Sequence, residues 1–167
     1  MLVISDTNIL SSLAAGEAMS LLFRLFPNAT IYIPPAVHRE LQTGLAYGQT
    51  HLESILQVIG GKLQILYLSE NEQELAQRLP KKLNAGECEA IALSKNRHGR
   101  LLSNDKHAMR YCRQNGINVV DLPLLSRLLW TRKIVSQTEV KALIDKMKTV
   151  ENLQLSQNTL KAIFAPQ

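Results

Sequence analysis

Four acidic residues, Asp6, Glu40, Glu87 and Asp105, could do chemistry together. Two of them end strand-like runs. Leu2-Val3-Ile4 is a short apolar run without helical period, which predicts a buried strand, and it stops at Ser5-Asp6-Thr7-Asn8. Arg100-Leu101-Leu102-Ser103 repeats that grammar and stops at Asn104-Asp105. A helix start follows each acid. An acid at such a junction has two readings: it caps the helix, or it faces the crevice where open α/β sheets bind ligands. Glu40 sits on a predicted helix, about 80° from the centre of the apolar face set by Val37 and Leu41. Glu87 opens a small-residue helix over residues 84–94 that is apolar nearly all round and therefore central and buried. A carboxylate there needs a partner, a cap or a cation. Asn84-x-x-Glu87 also fits a capping box. Glu89 competes with Glu87 as a ligand, and it too has a bland reading as a first-turn acid. The two lie about 200° apart around the helix, so one pocket does not receive both directly.

Clustered carboxylate oxygens suit Mg²⁺ or Mn²⁺. Without a cation they repel one another and raise their own pKa values. With one, they support phosphoryl chemistry. Competing machineries are missing from the sequence: there is no Walker A loop, no GxSxG elbow and no GxGxxG. Cys88 and Cys112 have no zinc spacing and read as small core residues of a reduced compartment. His38, His51, His98 and His107 have no ligand spacing and read as surface or helix residues.

The elements that must position these acids alternate. Short strands are expected at residues 2–4, 30–33, 63–68, 100–103 and 117–120. Helices are expected at 9–26 with a break near Gly16, at 36–42, 52–59, 70–79, 84–94 and 106–114, and in three closing segments after Leu122. Residues 44–48 read as a loop. Strands alternating with helices imply right-handed crossovers and an α/β fold, with a parallel central sheet flanked by helices. The 167 residues fit one domain with a sizeable core, with 46% hydrophobic and 20% charged residues.

In order along the chain, Val3-Ile4-Ser5-Asp6-Thr7-Asn8, Pro34-Pro35-Ala36-Val37-His38-Arg39-Glu40-Leu41, Gly86-Glu87-Cys88-Glu89-Ala90-Ile91-Ala92-Leu93 and Leu101-Leu102-Ser103-Asn104-Asp105 resemble the PIN-domain ribonucleases. The likeness is to the branch with a GExEAIxL helix, common among prokaryotic toxin-like proteins. The resemblance implies a PIN-like nuclease domain over residues 1–130, with residues 131–167 as a C-terminal helical extension packed on it. It implies Asp6, Glu40, Glu87 and Asp105 as a catalytic, metal-holding quartet, with Thr7 and Asn104 as supporting polar groups. Glu89 stays open as the alternative to Glu87, because many such nucleases carry Asp at this helix position. Mg²⁺ or Mn²⁺ is the implied cofactor. The implied partners are RNA, an antitoxin protein and a second copy of the chain in a dimer.

Net charge is +5 and the pI about 9.4, which admits a polyanionic partner. Lys95, Arg97, Arg100, Lys106, Arg110 and Arg113 surround Asp105, and Lys106 and Arg110 share a helical face, the expected phosphate-contacting surface. Single-stranded RNA presents its phosphates and bases more openly than duplex. Aromatics are few, so the sequence displays no stacking platform. No secretory signal and no membrane-length apolar run is visible, which leads to the expectation of a cytoplasmic protein. Three functions remain open at this point: a metal-dependent endoribonuclease, a non-catalytic RNA-binding domain on the same fold, and a Mg²⁺-dependent phosphatase on another α/β fold.

Overall fold

The computed structural model describes residues 1–166; Gln167, the last residue of the expected C-terminal extension, lies outside the described residues. Five short strands form one sheet: β1 (Val3–Ser5), β2 (Ile31–Ile33), β3 (Leu63–Ile65), β4 (Arg100–Leu102) and β5 (Val119–Val120). All pairings are parallel and the order is β3-β2-β1-β4-β5. Parallel neighbours need crossovers, and helices supply them: α1 (Thr7–Ala15), α2 (Met19–Leu25), α3 (Pro35–Ala46), α4 (Glu53–Leu56), α5 (Glu70–Arg78), α6 (Ala85–Asn96) and α7 (Lys106–Gln114); α8 (Leu122–Thr131) follows the last strand. Two more, α9 (Gln137–Glu151) and α10 (Gln157–Phe164), close the chain and pack on α1 and α8.

Alternation along the strands divides the core. Val3, Ile31, Ile33, Leu63, Leu102 and Val120 face one layer, built from α1, α2, α3, α8, α9 and α10. Ile4 and Leu101 face the other, against Ala90, Ile91 and Leu93 of α6 and Ala108 and Cys112 of α7. Both faces of β1 are covered, so Val3, Ile4 and Ser5 are all fully buried. That is why the strand reads as an uninterrupted apolar run.

Boundaries differ from the sequence expectations most in three places, and β5 begins at Val119 rather than at residue 117. First, α3 runs on to Ala46, through the expected loop. Gly44 lies within the helix and seats directly against Leu52: a Cβ there would lie 2.6 Å from Leu52 Cδ1. Second, the expected helix over 52–59 is a 3-10 turn at Thr50–Leu52 followed by the short α4. Third, β3 stops at Ile65, and only Leu63 of it is fully buried. Among the described residues, no helix is long and apolar enough to cross a membrane.

Candidate functional site

Consecutive connections leave β1 toward β2 on one side and reach β4 on the other. The crevice at the C-terminal ends of β1 and β4 is therefore the topological switch point of the sheet, where such folds place ligands. Asp6 follows β1 and Asp105 lies just past β4. Ser5 pairs with Leu102 in the ladder, and the Asp6 amide donates to the Leu102 carbonyl at 3.0 Å. The two acids are thus brought together by strand pairing itself.

Each acid is held by a helix N-terminus. Asp6, 2% exposed, accepts the Ile9 amide on Oδ1 at 3.0 Å and caps α1. Among the described residues its Oδ2 is buried with no hydrogen-bond partner. Burial pushes the Asp6 carboxyl up to about 6. The neighbouring Ser103 hydroxyl and the Ile9 amide lower it, while the charges of Asp105 and Glu40 raise it further. Asp105 caps α7, taking the amides of His107 and Ala108 on Oδ1, both at 2.8 Å. Glu87 completes the capping box of α6: Oε2 accepts the Asn84 amide and Oε1 the Asn84 side-chain amide, both at 3.1 Å. Burial pushes Glu87 up to about 7, against the Asn84 amide, with added repulsion from Asp105, Asp6 and Glu40. The capping readings made from the sequence are correct for Asp6 and Glu87. Capping does not isolate them: Glu87 feels the charges of Asp105, Asp6 and Glu40, and Asp6 those of Asp105 and Glu40.

Glu40 reaches the same place from α3. Oε1 accepts the Gly86 amide at 3.0 Å, and Oε2 accepts the Thr7 hydroxyl. Gly86 makes this approach feasible: a Cβ there would lie 2.7 and 2.8 Å from the two carboxylate oxygens. Glu89 turns elsewhere. It accepts the Ala36 amide at 2.8 Å at the start of α3 and pairs with Arg39 at 3.6 Å. The half-turn separation between the two glutamates is thus realised, with Glu87 toward the other acids and Glu89 toward α3.

Thr7, Glu40, Asn104, Asp105 and Lys106 line an open cleft of ≈ 1250 Å³. Asp6 and Glu87 are buried outside its lining. Arg110, one turn beyond Lys106, is exposed and lies outside the lining too. Arg39 and His107 add basic character to the wall. Neither was singled out by spacing, since Arg39 differs from other surface arginines only by its place beside Glu40. At the other end of the cleft Glu151 accepts the Ser11 hydroxyl, the Ser12 hydroxyl at 2.8 Å and His51 Nε2 at 3.3 Å. The sequence gives no signal for this group, whose members come from α1, the 3-10 turn and the end of α9.

Among the described residues, no three Asp, Glu, His or Cys side chains converge on one metal position; the carboxylates rest on the helix ends they cap. The donor set nonetheless fits a hard divalent cation. It consists of carboxylate oxygens, it includes the orphaned buried Oδ2 of Asp6, and the neighbouring negative charges add to the raised pKa values of Asp6 and Glu87. A cation relieves that repulsion.

A PIN-domain family model matches residues 2–165. Curated protein sequences give no match. Among solved structures, VapBC2 from Rickettsia felis, bound to a DNA fragment from their promoter, is similar with a TM-score of 0.54 and 20% identity, over 72% of this chain and 98% of that one. A PilT N-terminus domain protein from the archaeon Sulfolobus solfataricus P2 aligns with a TM-score of 0.46 and 15% identity, over 80% of this chain and 94% of that one.

Proposed function

The chain belongs to the PIN-domain family, and we propose that it is a metal-dependent endoribonuclease that hydrolyses phosphodiester bonds in single-stranded RNA. PIN domains are generally nucleases, so a hydrolase role follows at the coarse level. The observation that carries the finer reading is the gathering of Asp6, Glu40, Glu87 and Asp105 from four elements at the switch point, with Asp6 Oδ2 buried and unpartnered.

These four residues would hold Mg²⁺ or Mn²⁺. The chemistry such an ion supplies when bound is activation of water and neutralisation of phosphate charge. The chain does the rest. The Gly86 amide and the Thr7 hydroxyl fix the Glu40 carboxylate in one orientation. Asn104, on the cleft wall beside Asp105, offers an amide to a phosphate oxygen. Lys106 and Arg39 flank the acids and favour approach of a polyanion, and Arg110 extends that charge along α7.

The same reading includes the partners. We take RNA as substrate, a second copy of the chain as dimer partner, and an antitoxin as inhibitor, making this chain the toxin of a toxin–antitoxin pair in the cytoplasm. The Rickettsia felis VapBC2 assembly supports looking for such a partner. The test is incubation of the purified protein with mixed RNA, single-stranded DNA and a phosphate monoester, each with Mg²⁺, Mn²⁺ or EDTA. RNA fragments in the metal lanes alone are expected. Intact RNA with either metal contradicts the reading, and release of phosphate from the monoester indicates a phosphatase instead.

A further inference from the structure

We propose that Tyr47 is a stacking platform for one unpaired nucleobase of the bound RNA strand, an inference that rests on the ribonuclease reading above. Helix α3 turns Glu40, Thr43 and Gly44 to the same cleft as its C-cap residue Tyr47. Their spacing is i, i+3, i+4, i+7, one face of one helix. Seven residues rise about 10 Å. The ring therefore lies along the cleft from the acid pocket, about a nucleotide or two of strand away.

Tyr47 is 85% exposed, although it lies in a concave wall. A single exposed aromatic on a surface needs no explanation. Here the exposed ring shares a cleft with Glu40 and Asp105, and a second exposed apolar side chain, Val150 at 46%, lines the same cleft from the end of α9. Gln49 and Asn152 stand in the lining too and supply amide donors and acceptors for a base edge.

This end of the cleft is fixed in place. The Tyr47 amide donates to the Thr43 carbonyl at 3.0 Å, and Gly44 lets α3 seat directly on the buried Leu52. On the facing side, Glu151 ties the end of α9 to Ser11, Ser12 and His51. An aromatic ring on a fixed backbone stacks any base, so the site selects an unpaired base without selecting its identity. A duplex keeps its bases within the helix and does not offer one.

The experiment measures binding of a short single-stranded RNA and of the same RNA as duplex, in the full-length Asp6→Asn protein so that the strand survives. Tyr47→Ala should weaken single-strand binding about tenfold, and Tyr47→Phe should bind within about twofold of the parent, because phenyl stacks as phenol does. Duplex binding should be unmoved. The salt slope should also be unmoved, since stacking releases no counterions. Moving an abasic nucleotide along the strand should remove the difference between Tyr47→Ala and its parent at one position only. Tyr47 is exposed, so the substitution leaves the core intact, and matching circular dichroism spectra verify it. Equal single-strand binding by Tyr47→Ala and its parent overturns the proposal while leaving RNA cleavage by the wild-type protein standing. Absence of any RNA binding and cleavage by the unsubstituted chain overturns the ribonuclease reading and this one with it.

Discussion

The Gly86 amide donates to Glu40 Oε1 at 3.0 Å, and the missing side chain of Gly86 is what lets the carboxylate come that close. A glycine in the first turn of a buried helix otherwise lowers helix stability. Its presence is explained by the acid it accommodates.

Gly86→Ala should therefore displace Glu40 while keeping the fold, since alanine favours the helix. A displacement on the scale of an ångström costs about a hundredfold in rate. The check is RNA cleavage rate beside thermal melting: a large loss of rate with an unchanged or raised melting temperature is expected. Full activity in Gly86→Ala would mean that the position of Glu40 is immaterial.

The two glutamates of α6 separate by role. Glu87→Gln should abolish cleavage, since it removes an anionic oxygen from the pocket. Glu89→Gln should keep most activity, because Glu89 caps α3 at Ala36 and pairs with Arg39. Glu89→Ala should lower stability by about 1 kcal/mol, the usual value of a lost cap, which lowers the melting temperature by a few degrees. Cleavage assays and melting curves on the three variants decide it; loss of cleavage in Glu89→Gln with retention in Glu87→Gln would reverse the assignment.

The metal-free protein should become less stable as pH rises. Burial and mutual repulsion raise Asp6 to about 6 and Glu87 to about 7, above the ordinary carboxylate range. For an acid whose folded pKa is raised, the stabilisation is full below the unfolded pKa near 4 and is lost as pH passes through the folded value. The window is thus about pH 4 to 7. The two shifts together make the loss several kcal/mol, which lowers the melting temperature by roughly 10 °C or more. Asp6→Asn still caps α1, so it should melt higher than wild type at pH 8 without metal, and Mg²⁺ should raise wild type more than the variant. Melting curves at pH 5 and pH 8 with EDTA test this; a wild-type protein more stable at pH 8 would contradict it.

Much of this was legible because β1 and β4 share one grammar. An apolar run followed by a small polar residue and an acid predicts a strand end, and strand ends at a parallel switch point are where the acids meet. Glu87 was legible through its capping box, and its separation from Glu89 followed from helix geometry alone. The limit of α3 was not legible. Gly44 carries a turn signal locally, and its close seat against Leu52, eight residues on, leaves no mark in the sequence. The Ser11–His51–Glu151 group was also invisible, since its members are separated by up to 140 positions and none belongs to a spaced motif. Tyr47 looked like one of few aromatics; its exposure within the cleft depends on how α3 and α9 are placed.

The basic face of α7 should act electrostatically. Replacing both Lys106 and Arg110 with alanine should weaken RNA binding and reduce the magnitude of the salt slope by up to about 1.4, taking about 0.7 per phosphate contact on single strands. The measurement is binding by the Asp6→Asn protein across a salt series, with metal affinity as the control. An unchanged slope would place the strand away from α7, toward the basic residues after Leu122.

The central claim is that the four carboxylates bind a divalent ion and use it on RNA. Its most direct measurement pairs Mn²⁺ binding, read by electron paramagnetic resonance, with cleavage of mixed RNA in the same samples of wild type and Asp6→Asn. Wild type should bind Mn²⁺ and cleave, EDTA should stop cleavage, and Asp6→Asn should stay folded while losing both. Cleavage that survives in Asp6→Asn, or in EDTA, would contradict it.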